Sequence, residues 1–230
     1  MTTAASPGSA RTFTGWVALI GAAMSALNIY CYIAATGGDL ELMIRPAEAL
    51  SLTDGARNMF LLGQFADSFG YYLPYLVIGG YFWSKFRVRD GAWQDMAALC
   101  IAVYAMLGLV GTSMQFAALP VLSASHAAGD ASVKLATETV WLGLVHATQA
   151  GVWWMEGPVI AFWAYVIGTA LRREGNSSAY ALLLGGFGYA GYFLARAADM
   201  GELAGIFEPL AIFPLLAWQA WIGISLLRER

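Results

Sequence analysis

Residues 142–171 read LGLVHATQAGVWWMEGPVIAFWAYVIGTAL, an apolar run broken by one histidine and one glutamate. A helix needs about 20 apolar residues to cross a bilayer. This stretch is long enough to do so, and it ends in the paired arginines Arg172 and Arg173. Five further runs of this kind follow one another along the chain, at roughly 13–36, 59–83, 96–120, 179–198 and 205–227. Short polar or charged segments separate them.

The composition agrees with the segmentation. Of 230 residues, 59% are hydrophobic and only 12% charged, whereas a soluble domain carries about 25% charged residues. The alternation at period two that marks a membrane barrel is not seen. The fold expected is therefore all-α: a polytopic transmembrane bundle of about six helices, forming one domain over 13–230. Residues 1–12, small and polar, read as a disordered tail. The first run continues through ALNIYCYIAAT without a clear cleavage site, so it is read as a span and not as a signal peptide.

Orientation follows from the basic residues. Arg11, Lys85, Arg87, Arg89, Arg172, Arg173, Arg228 and Arg230 fall on one side, against Arg45, Arg57, Lys134 and Arg196 on the other. Both termini are thus expected in the cytoplasm. The formal net charge of −3 and the lack of a basic face argue against nucleic acid as a partner. Two outer segments, 37–58 and 121–138, read as the long connections. Within the first, DLELMI and PAEALSL look like amphipathic pieces lying at the membrane surface.

Polar residues inside the runs form stripes. His146, Gln149, Trp153 and Glu156 are spaced 3, 4 and 3, which places them within about 80° of one another on a helix. Gln64, Asp67, Tyr71 and Pro74 repeat that spacing, and Tyr189, Tyr192, Arg196 and Asp199 form a third stripe. Asn28 lies with Ser25 and Tyr32 in the first run. Polar groups are costly against lipid, so the stripes are expected to face one another. They concentrate toward the outer half of the membrane, with Asp67, Glu156 and Arg196 as an ion-paired set. Intramembrane ionisable residues usually serve a function. Small residues at 108–111 (GLVG) and 185–191 (GGFGYAG) read as sites of close helix approach.

These features predict a site rather than a reaction. A carboxylic acid in a poorly solvated place can donate a proton. Asp67 and Glu156, with His146 as a relay, are the candidate catalytic groups for acid/base isomerisation, cyclisation or hydration. The expected substrate is a lipophilic, terpenoid-like molecule. Gln64, Tyr71, Gln149, Trp153, Tyr189, Tyr192, Arg196 and Asn28 are the candidate substrate-binding residues. A small proton-coupled transporter is the first alternative, weakened by the absence of visible paired broken helices. An accessory membrane subunit is the second. No cofactor and no metal site is expected. His126 and His146 are too few for zinc without carboxylates, and haem, with His146 as its one intramembrane ligand, is the weaker reading.

The stretches NMFLLGQFADSFGYYLPYLVIGGYFW, LVHATQAGVWWMEGPVIAFWAYVIGTALRREGNSSAYALLLGGFGYAGYFL and EPLAIFPLLAWQAWIGISLLR carry a resemblance. Their order resembles the DUF4386 family of bacterial six-span membrane proteins. The features shared are His146 leading the fourth span, the turn at Arg172 to Ser177, Gly186 to Tyr189, and Pro209. The chain departs from the pattern in lacking a proline after Arg173 and in placing Glu156 in an apolar region. The resemblance implies the topology and a bacterial inner membrane; it implies no reaction.

Overall fold

The computed structural model describes residues 7–39 and 41–228. It is helical from end to end, with no strand among the described residues. Helix α1 spans Pro7–Thr36. A 3-10 turn at Leu42–Ile44 and the short α2, Pro46–Leu50, lead to α3, Asp54–Asp67. A π-helical turn, Ser68–Tyr72, joins α3 to α4, Leu73–Asp90. Helix α5 covers Ala92–Ala128. Helix α6, Ala131–His146, runs through a second π-helical turn, Ala147–Val152, and a short break into α7, Glu156–Arg173. Helices α8, Ala179–Ala197, and α9, Gly201–Arg228, complete the chain.

These elements make six rods arranged as a closed ring. The α1 rod packs between α9 and the α3–α4 rod; α5 joins α4 to α7; α8 joins α7 to α9. Among the described residues, four segments are long and apolar enough to cross a membrane: Gly8–Thr36, Ala92–Ala128, Ala131–Arg173 and Gly201–Arg228. The α3–α4 rod and α8 are not among those four and close the ring between them.

Close approach is built from glycine. A Cβ on Gly188 would stand 2.4 Å from the Ala211 backbone nitrogen, and one on Gly185 would meet the Leu215 side chain at 2.6 Å. The GGFGYAG segment thus lets α8 lie directly on α9, as small residues do in apolar surroundings.

The basic end of the ring is filled. Tyr75 sits at its centre, with ring centroids 5.9 Å from Tyr104, 5.6 Å from Trp163 and 6.1 Å from Trp218. Ile78, Phe82, Phe86, Ile167 and Leu171 continue this core toward the charged turns and are all but fully buried. The turns are tied across by Lys85 to Glu174 at 2.7 Å and Arg173 to Asp90 at 2.9 Å.

The structure departs from the sequence reading in three ways, the second and third of them at the opposite, acidic end. First, helix α1 begins at Pro7, so residues 7–12 are helix and not tail; residues 1–6 lie outside the described residues. Second, 121–138 is no loop. Helix α5 runs through Pro120 to Ala128, and α6 starts at Ala131. Asp130 caps it, its Oδ1 accepting from Ser132 N at 2.9 Å and Val133 N at 3.1 Å. A 37-residue helix is about 55 Å long, well beyond the ~30 Å of a hydrocarbon core, so the α5–α6 hairpin stands clear of it.

Third, the amphipathic pieces of 37–58 pack on this hairpin. Met43 and Leu50 bury their side chains against Leu119, Trp141 and Val145. The Trp141 indole N–H donates to the Met43 carbonyl at 2.9 Å. Arg45 holds the segment locally through Glu48, at 2.7 Å, and through Asp39. The result is a cap of protein on protein.

Candidate functional site: two carboxyls at two helix breaks

Both candidate catalytic acids stand where a rod is interrupted. Asp67 is the last residue of α3, directly before the π turn. Glu156 opens α7, directly after the second interruption. A proline follows each break. Pro74 has no N–H to give the Gly70 carbonyl one turn earlier, and Gln219 Nε2 supplies the missing donor from α9 at 3.0 Å. Pro158 likewise leaves the Trp154 carbonyl without its helical donor, and Gly157 N takes it at 3.2 Å. Irregular backbone at membrane depth survives only where protein or water satisfies it, and π turns recur at functional sites.

The breaks bring the acids together. The Tyr72 hydroxyl lies within polar reach of both the Asp67 and the Glu156 carboxyls, and the two carboxyls feel each other electrostatically. Glu156 is only 4% exposed, and among the described residues its Oε1 has no hydrogen-bond partner. Asp67 is surrounded by protein yet keeps part of its surface open. Among the described residues, neither acid takes part in an ion pair.

Aromatic rings wall the pair. Tyr72 packs on Tyr104 at 5.3 Å, and Tyr104 meets Tyr189 edge-on at 6.4 Å. Tyr189 also lies within electrostatic reach of Glu156. The GLVG segment makes room for this wall. A Cβ on Gly108 would stand 1.9 Å from the Tyr72 ring, and one on Gly111 would stand 2.2 Å from Trp153 Nε1. These glycines admit aromatic side chains, whereas Gly188 of GGFGYAG admits the α9 backbone.

Of the other residues singled out in the sequence, Tyr71 is buried with its hydroxyl near Ser25. Gln64 is buried one turn before Asp67. Gln149 and Trp153 are half-buried on and just after the second π turn. Asn28 donates from Nδ2 to the Gly63 carbonyl at 3.0 Å, which ties α1 to α3.

Two expectations are corrected. His146 is exposed, on the outside of its rod. The wide turn that follows it breaks the 3.6-residue register, so the stripe drawn from His146 to Glu156 is not one face. Thr148 takes the interior position instead, accepting from Gln115 Nε2 at 2.7 Å. Arg196 is also exposed. Its charge acts on Glu208 and Tyr192 at the acidic end, and it forms no set with Asp67 and Glu156.

Tyr104 belongs to the site and Tyr75 packs beneath it at 5.9 Å; neither was among the candidates. Their signal was present: Tyr75 is one turn after Tyr71, and Tyr104 is one turn before Gly108 on an otherwise apolar helix.

An apolar groove of about 530 Å³ lies on the outside of α4 and α5, lined by Leu76, Met106, Leu109, Val110 and Met114 among others. Its lining alternates along α5 with Gly108 and Gly111, so it runs at the level of the Tyr72 ring.

No family model, no curated protein and no solved structure matches this chain. The class is set by the chain itself. It is an all-helical, multi-pass membrane bundle with a paired carboxyl site inside it.

Proposed function

We propose that this chain is a six-span enzyme of a bacterial inner membrane, with both termini cytoplasmic. It acts on a lipophilic, terpenoid-like molecule by acid/base isomerisation, cyclisation or hydration. One observation carries the reading: Asp67 and Glu156 share the Tyr72 hydroxyl, without a cation, inside an aromatic wall. One carboxyl in its acid form gives a proton to a carbon–carbon double bond. The cation formed is held over the tyrosine rings. For isomerisation or cyclisation the other carboxyl, as base, removes a proton from a neighbouring carbon; for hydration it removes one from the attacking water. The Tyr72 hydroxyl returns that proton to the first carboxyl, and the site is reset with no net proton used.

The filled basic end supports a closed site over a through path, since Tyr75, Trp163 and Trp218 occupy the axis below the acids. The apolar groove on α4 and α5 supports an approach by a hydrocarbon from the bilayer.

The test is deuterium incorporation. Protein in nanodiscs is incubated in heavy water with a panel of isoprenoid alkenes, and products are read by mass spectrometry. Wild type places deuterium on carbon; Asp67→Asn, Glu156→Gln and Tyr72→Phe do not. Incorporation that persists in both amide variants overturns the assignment.

A proton-coupled carrier is the second reading, favoured by one observation. Two rods are broken at the level of the acids, and Glu156 stands in the first turn of a half-helix, as in carriers with discontinuous helices. Proton movement driven by a solute across proteoliposomes, without carbon labelling, selects it.

A further inference from the structure

At the basic end, α1 and α4 part to leave an open groove of about 480 Å³. Gly80 makes the opening: a Cβ built on it touches nothing within 4 Å. The groove follows α4 from Val77 to Lys85, a rise of about 12 Å along the helix. Its deep end is apolar, formed by Phe13 from α1 with Val77 and Gly80. Its shallow end carries the Ser84 hydroxyl and the Lys85 ammonium, with Tyr81 between the two.

A hydrocarbon trough that ends in a hydroxyl and a cation matches an amphiphile with an anionic head. The surroundings set the sign. Arg87, Arg89, Arg172 and Arg173 stand exposed around this end of the ring, and with Lys85 they outnumber the acids they meet there, Asp90, Asp95 and Glu174. Lys85 meets Glu174 at 2.7 Å, which fixes the ammonium at the mouth of the groove and leaves it further N–H donors. Basic pockets between membrane helices bind acidic lipid head groups.

We propose that this groove binds one acidic phospholipid of the leaflet at the basic end, its head group on Ser84 and Lys85 and an acyl chain along Phe13, Val77 and Gly80. The site is separate from the acid pair, and the inference stands on the membrane placement alone.

Native mass spectrometry from nanodiscs of equal phosphatidylglycerol and phosphatidylcholine tests it. Wild type retains one phosphatidylglycerol in preference to phosphatidylcholine. Gly80→Leu fills the trough and loses the retained lipid at an unchanged melting temperature in detergent. Lys85→Gln keeps a lipid with its preference reduced about fivefold, the effect of one lost basic contact. Retention of both lipids in the proportion supplied, or an unchanged phosphatidylglycerol count in Gly80→Leu, overturns the proposal.

Discussion

The Gly70 carbonyl and the Gln219 side chain are joined by a 3.0 Å hydrogen bond that closes the gap left by Pro74. Both groups are buried. Removing the amide leaves a carbonyl without a donor in a place water does not reach, at a cost of about 1–3 kcal/mol. Gln219→Ala is therefore expected to lower the melting temperature in detergent. In a Pro74→Ala background the new N–H serves Gly70, and the same change costs less. Equal losses in the two backgrounds would show that the amide holds nothing at this break.

Tyr72 owes its place to the missing side chain of Gly108. A methyl group there would overlap the ring, at 1.9 Å, and both partners are buried. Overpacking of this kind costs about 1–3 kcal/mol. Gly108→Ala is expected to destabilise the protein and to abolish carbon labelling by displacing the shared hydroxyl. Combined with Tyr72→Leu it costs less than the sum of the two. Labelling at the wild-type rate in Gly108→Ala would count against the Tyr72 relay.

His146 gives the opposite outcome. It is exposed and faces away from the ring interior, so His146→Ala is expected to change stability by less than about 0.5 kcal/mol and to leave labelling intact. Gln115→Leu is the more damaging change, because Gln115 holds Thr148 of the second break at 2.7 Å. The pair of measurements checks which residue occupies the inner face.

The contrast between His146 and Thr148 shows where the sequence is legible. Composition and run length are enough for the helical bundle, and a polar residue in an apolar run is enough to mark Asp67 and Glu156. Stripe geometry assumes an unbroken 3.6-residue turn. A single wide turn rotates everything on one side of it, and nothing in ATQAGV signals that turn in advance. Pro74 and Pro158 do mark the breaks, but the residues they reorient depend on donors from another rod, such as Gln219. The loop read at 121–138 failed for a different reason. Alanine and serine, with little apolar signal, still make good helix when Asp130 caps it and Trp141 and Leu119 anchor it.

The cap at the acidic end should respond to acid. Hydrogen bonds from the Arg45 guanidinium hold Asp39 and Glu48 below the ordinary carboxylate range. Carboxyls depressed in the folded state stabilise it above their unfolded value, near about 4. That contribution is lost as pH falls through the folded values. Amide exchange across 42–50, corrected for its intrinsic pH dependence, is expected to speed up below about pH 4, while α7 stays protected. Both carboxyls are solvent-exposed, so the effect is small and weakens with salt. Arg45→Gln should remove the step; an identical step in that variant assigns it to other groups.

The amide variants decide whether the acid pair is a fastening or a site. Buried charges that hold helices in register do so against a partner of opposite sign, and breaking such a pair costs about 3–5 kcal/mol. Asp67 and Glu156 have the Tyr72 hydroxyl and each other. Each carboxyl is a burden on the fold, since burial disfavours its charge and its neighbour is of like kind. Asp67→Asn and Glu156→Gln are thus expected to melt at the wild-type temperature or above it, while labelling is lost. Retained stability with lost chemistry is the signature of groups kept for a reaction. A marked loss of stability in both variants would instead make the pair a structural element, and the bundle an accessory subunit.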